Sequence, residues 1–455
     1  MTRIRHPRPR RARAESLRGP AAAAAAAAMV AALAMVAASC SSNGGSGGDS
    51  TVADLQTRAF EAFAQGDRSE LNQAAGNSVT PAMAPTTGIT DQRILFGQSA
   101  ALSGPASELG VNMRLGIEAA FKEANRAGGV HGRMLELQTL DDAYEPEDAI
   151  VKTRHLIETE QVFALIGAVG TPTSLAATPI ARAAGVPYIA PFTGAAFLRD
   201  SEWDNIINLR ASYGQETEEM VARLTDDLGV TRIGVVFQND SFGRAGFRGV
   251  TAALDRRGMT PASIGLYPRN TTAVKTALID VNQGDPEAVI IIGAYEPVAR
   301  LIQWARLIDS DPIFMTVSFV GSNALAQELG PEGAGVLVTQ VVPFPEDDSL
   351  PVVQSYQTAL RRHDPLADPG FVSLEGYMAG RMVIEALQQC GADLDRSCLL
   401  EELVEIGSID IDGFNLEFGE NDNQGSDEVY LTVIGSDGAY HPVDTLLETS
   451  RWVTQ

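Results

Sequence analysis

Val162-Phe-Ala-Leu-Ile-Gly-Ala-Val169 runs directly into Gly170-Thr-Pro-Thr-Ser174, and an amphipathic stretch continues to about residue 184. The apolar run does not alternate with polar residues, as expected for a strand buried on both faces of a sheet. The glycine, hydroxyl residues and proline that follow are the residue types that start a helix. This strand–loop–helix unit recurs. Apolar runs fall at 94–98, 135–140, 162–169, 206–210, 233–237, 288–292, 314–319 and 336–342. Helical patterns lie between or after them, at 109–126, 145–158, 174–184, 214–228, 242–257, 296–308, 349–362 and 372–389. Strands that alternate with helices make βαβ units and parallel sheets. The units are too many for one small sheet, so the expected class is α/β, with two doubly wound parallel-sheet lobes. In such folds ligands bind beyond the carboxyl ends of the strands.

The amino terminus has a different character. Seven arginines between Arg3 and Arg18 precede an apolar stretch from Ala21 to Ala38, and Ala37, Ala38 and Ser39 lead to Cys40. This is the pattern of a secretory signal over 1–39, with cleavage leaving Cys40 first. It resembles a bacterial lipobox, in which that cysteine receives a diacylglyceryl group. An Ala-rich membrane-spanning helix is the competing reading, but the run is near the minimum spanning length and a Ser/Gly spacer follows at once. Arg10-Arg11 fits a twin-arginine signal poorly. Residues 40–90 read as a linker carrying one short helix (Val52, Leu55, Ala59, Phe63) before a Pro-rich connector.

Removing the signal takes away seven arginines and one acid, which deepens the formal net charge from −24 to −30. Such a field argues against nucleic acid and against anionic lipid as partners, leaving the lipid anchor as the route to a membrane. Of the three cysteines, Cys390 and Cys398 remain as an even pair in an oxidising compartment. They flank a turn-like segment between two helices, and a disulfide is expected there, contributing about 2–3 kcal/mol. Nucleophile elbow, zinc-protease, Walker and dinucleotide motifs are all absent, so no catalytic residue, metal or cofactor is expected. Asp141-Asp142 reads as a solvated turn ahead of the helix that starts near Glu145-Pro146.

The candidate binding residues stand at strand ends. Thr171, Thr173 and Ser174 open a helix, where free N–H groups and hydroxyls suit a carboxylate. Simple N-capping explains the same residues. Phe192, Thr193 and Gly194 form a turn after a short strand. Phe192, Tyr213, Phe242 and Tyr295 could wall a small apolar pocket or pack in the core.

Several segments together resemble the type I periplasmic binding proteins, in the leucine/isoleucine/valine-binding branch of transporter receptors. They are Ala100-Ala-Leu-Ser-Gly-Pro105, Asn125-Arg-Ala-Gly-Gly-Val-His-Gly-Arg133, Leu140-Asp-Asp142, Gly185-Val-Pro187, Pro191-Phe-Thr-Gly194 and Asn239-Asp-Ser-Phe-Gly243. The resemblance covers about Arg93 to Tyr440. It implies a three-segment hinge, near Ala211-Ser212, Val341–Pro343 and Asp427–Val429. Lobe I is then 91–211 plus 341–427, and lobe II is 212–340 plus 428–446. It also implies that Thr171 meets a ligand carboxylate, that Phe192–Gly194 meet carboxylate and ammonium, and that Phe242 and Tyr295 are second-lobe aromatics. Leu109 falls where the branch has a tryptophan wall, and Asn323 where it has a glutamate that meets the ammonium. A neutral Asn cannot balance an ammonium, so Glu296 or Glu375 substitutes, or the ligand is not an ordinary α-amino acid.

The expected function is a lipid-anchored, monomeric solute-binding protein outside the cytoplasmic membrane or in the periplasm. It would take an amino acid, amide or carboxylate and hand it to an ABC permease. A receptor of the same fold that signals to a sensor kinase is the alternative. An exported hydrolase is the third class, disfavoured by the missing nucleophile.

Overall fold

The computed structural model describes residues 82–453 apart from 201, 405, 406 and 420. The signal, Cys40 and the short linker helix lie outside the described residues. The first sheet begins with β1 (Arg93–Ala100), which leads through helix α1 (Ser107–Arg126) to β2 (Met134–Asp141) and α2 (Pro146–Arg154). There follow β3 (Ala164–Ile166), α3 (Thr171–Ala183), β4 (Tyr188–Ile189) and β5 (Ile206–Ile207). The order is β2-β1-β3-β4-β5, all parallel. The chain then crosses into α4 (Tyr213–Ala222), β6 (Ile233–Gln238), α5 (Ser241–Asp255), β7 (Ser263–Tyr267) and α6 (Lys275–Asn282). It continues through β8 (Ala288–Ile292), α7 (Tyr295–Leu307), β9 (Ile313–Thr316), α8 (Ser322–Leu329) and β10 (Leu337–Gln340).

Next come α9 (Pro351–His363), α10 (Phe371–Gln389) and α11 (Arg396–Val404). A separate hairpin of β11 (Ser408–Ile411) and β12 (Phe414–Glu417) precedes β13 (Tyr430–Ile434), β14 (Tyr440–Val443) and α12 (Ser450–Val453). The second sheet has the order β14-β13-β10-β9-β8-β6-β7. Its five central and edge strands from β10 to β7 are parallel, but β13 and β14 run antiparallel. The expected α/β class with two parallel sheets holds, and the antiparallel pair at one edge is an addition to it. A chain that returns to a sheet edge at its end can add a two-strand hairpin without a crossover helix.

Burial follows the sequence pattern. β6 and β8 are buried along their whole length, as strands covered on both faces must be. β7, at the sheet edge, alternates buried and exposed positions and was not among the expected apolar runs. Four observed strands are shorter than their runs, among them β10, which keeps Leu337–Gln340 of 336–342. β3 stops at Ile166, because Gly167 turns into the left-handed region at φ 64°. β5 keeps only Ile206 and Ile207. β9 ends at Thr316, and 318–320 form a 3-10 turn.

The helix that packs on α1 comes from a distant part of the chain. α10 packs closely on α1, with glycines on both helices at the contact: a Cβ at Gly116 would lie 2.0 Å from the Ser373 carbonyl oxygen, and one at Gly376 would lie 2.3 Å from that of Met113. Cys390 and Cys398 are joined by a disulfide, with Cα atoms 5.8 Å apart, across the turn between α10 and α11. Where the chain passes between the two sheets, Ala211, Val341 and Val429 form a small buried cluster of their own. The first and third passages are also tied together: Asn208 N–H donates to Asn423 O at 2.7 Å, and Gln215 Nε2 donates to Asp427 at 2.8 Å.

Replacing Gly116 by Val should destabilise the protein by about 1–3 kcal/mol, because the helices cannot separate without losing their buried faces. Denaturant unfolding measures this, and an unchanged midpoint would mean that α1 and α10 are free to shift apart.

Candidate functional site

The carboxyl ends of β3 and β4 in the first sheet meet those of β6 and β9 in the second. Gly170 follows β3 with φ 105°, a conformation that L side chains rarely adopt, and its missing Cβ lets the Tyr144 ring approach; a Cβ there would lie 2.2 Å from Tyr144 Cε2. α3 therefore starts without any side-chain cap, and its first N–H groups point away from the helix. At that end the fully buried Thr171 and Thr193 hydroxyls lie 2.7 Å apart, and Thr193 Oγ1 donates to the Tyr213 hydroxyl at 3.2 Å. Gly194 is needed for this approach, since a Cβ there would lie 2.6 Å from Tyr213 N. Burial, with little relief from Arg210, pushes the Tyr213 phenol up to about 12, so it stays a neutral donor.

Aromatic rings close the other side. Phe319 stands on the turn after β9, with ring centroids 4.4 Å from Phe242, 5.4 Å from Phe192 and 6.0 Å from Tyr144. Tyr213 and Phe242 are 5.5 Å apart. Phe192, Thr193, Thr171, Tyr213 and Phe242 are thus one buried group contributed by both sheets. Phe242 is held by Asp240, whose carboxylate caps α5 by accepting from the N–H groups of Phe242 and Gly243.

Other expected positions fall outside this group. The Thr173 hydroxyl turns back to the carbonyl oxygens of Val169 and Gly170, so it is spent on capping its own loop. Leu109 is buried where α1 meets Gly321 of the second lobe. Tyr295 lies beside Ser107 and Glu108 at the same contact. Asn323 is exposed and donates to Pro369 O at 3.1 Å, so it lies on the rim. Of the two acids considered in its place, Glu296 is half-buried and Glu375 is buried.

Four participants, Phe319, Tyr144, Asp142 and Arg210, were not expected from sequence. Phe319 was read as the last residue of its apolar run and not as a binding residue; the early end of β9, at Thr316, puts it on a turn at the centre. Tyr144 belongs to the segment read as a solvated turn, and that reading is corrected. Asp142 is fully buried, accepts from Ser99 Oγ at 2.6 Å and Tyr144 N at 3.0 Å, and is pushed up to about 7 by desolvation. Ala143 and Tyr144 are held at φ 50° and 62°, which orients the Tyr144 ring. Arg210 is also fully buried, between Glu216 at 3.3 Å and Glu375 at 3.5 Å, with its guanidinium 4.9 Å over the Phe192 ring. Burial opposes its cation, but Glu375 and Glu216 outweigh that and hold its pKa above the usual arginine value. An arginine ending an apolar run was the available signal.

Polar contacts also bridge the lobes at one edge. Glu145, ahead of α2, accepts from Arg269 Nη2 at 2.6 Å and Asn270 Nδ2 at 2.7 Å, both just beyond β7.

Comparison with known proteins agrees with this architecture. A family model described as periplasmic binding protein matches residues 94–439. The chain is 26% identical to Leu/Ile/Val-binding protein homolog 7 of Brucella abortus (strain 2308) over 206 residues, 43% of this chain and 51% of that protein. It thus spans about half the length of that relative. It is 24% identical over 326 residues to the leucine-, isoleucine-, valine-, threonine-, and alanine-binding protein of Pseudomonas aeruginosa, covering 70% of this chain and 84% of that one. Among solved structures, a possible leucine/isoleucine/valine-binding protein from Rhodopirellula baltica SH 1 superposes with a TM-score of 0.75 at 40% identity, covering 80% of this chain and 99% of that one.

Glu145→Ala removes both edge contacts. A partly exposed ion pair of this kind contributes at most about 1 kcal/mol, so the ratio of closed to open molecules should fall about fivefold. Small-angle scattering of the ligand-free protein should show a larger radius of gyration; identical curves would mean that this edge does not hold the lobes together.

Proposed function

Because the chain belongs to the periplasmic binding protein family, we propose that it is an extracytoplasmic solute-binding protein of an ABC importer, taking an amino acid, amide or carboxylate between its lobes and delivering it to a membrane permease. It works as a monomer, outside the cytoplasmic membrane or in the periplasm, anchored by lipid on Cys40. Lobe I comprises 91–211 and 341–427, and lobe II comprises 212–340 and 428–446. The family supports a binding protein rather than an enzyme, and no chemistry is performed on the solute.

The observation that carries this reading is the chain of buried hydroxyls at the uncapped start of α3, Thr171 to Thr193 to Tyr213, set against aromatic rings from the other lobe. Free helix N–H groups and the positive end of the helix dipole favour an anion there. The hydroxyls supply neutral donors, which bind a carboxylate without fixing a counter-charge. Phe192, Phe242 and Phe319 offer apolar surface for the rest of a small solute. Since these groups come from both lobes, a ligand that touches all of them binds the closed form better than the open one. The population then shifts toward closure. The permease reads the closed pair of lobes. Branched-chain amino acids, named for the relatives, are the first candidates.

A ligand at 100 times its Kd should stabilise the protein by about 2.7 kcal/mol, visible in a thermal-shift screen of amino acids, amides and small carboxylates. The double variant Thr171→Ala/Thr193→Ala removes two hydroxyl contacts of about 1 kcal/mol each, so the Kd of any hit should rise at least tenfold by calorimetry. An unchanged Kd would place the site elsewhere.

A further inference from the structure

The segment that leads into the first lobe, residues 82–92, contains no fully buried residue. A groove of about 320 Å³ runs beneath it, between residues 86–90 and Glu160–Gln161, so apolar packing does little to hold it. Hydrogen bonds hold it instead, and several come from the short loop closed by the Cys390–Cys398 bridge. Arg396, inside that loop and 4% exposed, donates through Nη1 to Ala84 O at 3.2 Å, and its backbone N–H donates to Pro85 O at 3.1 Å. The same guanidinium donates through Nε to Phe163 O at 2.7 Å and through Nη2 to Val162 O at 2.9 Å, just ahead of β3. Arg133 makes a second tie, from Nε to Thr90 O and from Nη1 to Ala392 O, both at 3.0 Å. Residues 83–89 thus form a strap between the disulfide loop and the approach to β3, where a Cβ at Gly88 would lie 2.2 Å from Phe163 N.

Arg396 is the weak point of this arrangement. No carboxylate pairs with it among the described residues, and burial pulls its pKa down to about 10. A buried cation with only carbonyl partners gains by returning to water. The loop around it opposes that. Asp395 accepts from Cys398 N at 2.9 Å, and the bridge fixes the two ends of the loop with Cα atoms 5.8 Å apart. Both cysteines are half-buried, so a small reductant can reach them.

We propose that the Cys390–Cys398 bridge is a redox-sensitive latch: oxidised, it holds Arg396 on the strap, and reduced by a dithiol it lets Arg396 turn to solvent and the strap detach. In the exchange one thiolate of the dithiol attacks a bridge sulfur, the S–S bond breaks, and the second thiolate displaces the mixed disulfide. The dithiol leaves as a disulfide, and its two protons end on Cys390 and Cys398. Strands β1 and β3 keep their buried residues, so the opening is local. The strap joins the fold to residues 40–81. Its release therefore adds residues 83–89 to the tether and frees the first lobe to turn about it, a consequence that rests, as the latch itself does not, on the anchor at Cys40.

Hydrogen exchange resolved by residue, on the intact protein with and without dithiothreitol, tests the latch. The amides of Met83, Thr87, Ile89 and Arg396 are all hydrogen-bonded in the oxidised protein. Loss of the loop constraint should speed their exchange by about 30-fold or more, while amides of β1 and β8 change by less than about twofold. Cys390→Ser/Cys398→Ser should reproduce this without reductant. Arg396→Met should release the amides of Met83, Thr87 and Ile89 to a similar degree, and dithiothreitol should then add little. A uniform rise across all protected amides makes the bridge a general stabiliser and overturns the latch. So does no rise, or a bridge that dithiothreitol leaves intact in the folded protein by thiol alkylation. Strap amides that respond to reduction but not to Arg396→Met overturn the part played by Arg396. Should Arg396→Met fail to fold, the two wild-type measurements decide alone. None of these readouts depends on lipid or ligand, so failure here leaves the proposed function untouched.

Discussion

A single buried cation organises the centre of this molecule. Arg210 leaves the first sheet at the first passage between the lobes and has no exposure to solvent. Moving such a charge out of water costs several kcal/mol unless it is paired. Its two carboxylates come from α4 and α10, one on each lobe, and its flat face lies on Phe192. Three parts of the site are therefore referenced to it: the Phe192–Gly194 turn, the start of α4 and the turn carrying Ser318 and Phe319. Removing Glu216 would leave Arg210 paired with Glu375 alone and would also take the acceptor from Ser318 and Thr339.

The two lobes solve one problem in the same way. Each puts strand ends, helix starts and small turns at a common surface, where backbone groups are only partly committed. In the first lobe the helix start is left uncapped at Gly170, whereas in the second Asp240 and Ser212 cap α5 and α4 fully. The uncapped start of α3 leaves backbone donors at this surface, and the capped starts of α4 and α5 hold Tyr213 and Phe242 against it. Left-handed backbone at Ala143 and Tyr144 shows where the fold accepts strain to aim a side chain at this surface.

Much of this could be read from the chain. Uninterrupted apolar runs followed by Gly, Thr and Pro identified the α/β class, and hydroxyls at strand ends pointed to Thr171 and Thr193. The rest failed for physical reasons. Edge strands β7 and β14 bury only part of their residues, so they lack the continuous apolar signature, whereas the buried run of β13 was passed over. Runs such as 314–319 continue past the true strand end, because a 3-10 turn buried between lobes is as apolar as a strand. Asp142 looked solvated because its partners, Ser99 and the Tyr144 N–H, become neighbours only after the loop folds back. Asn323 was placed by resemblance, and it stands seven residues beyond β9, after a 3-10 turn, with its side chain on Pro369 O.

The close α1–α10 contact has a kinetic consequence. Its two helices lie about 250 residues apart, with the entire parallel part of the second sheet between them. Long-range contacts of this kind form late, since the intervening chain must be ordered first. During synthesis the first sheet would emerge early with α1 and α2 against it, while the face of α1 that receives α10 stays open until residues near 389 appear.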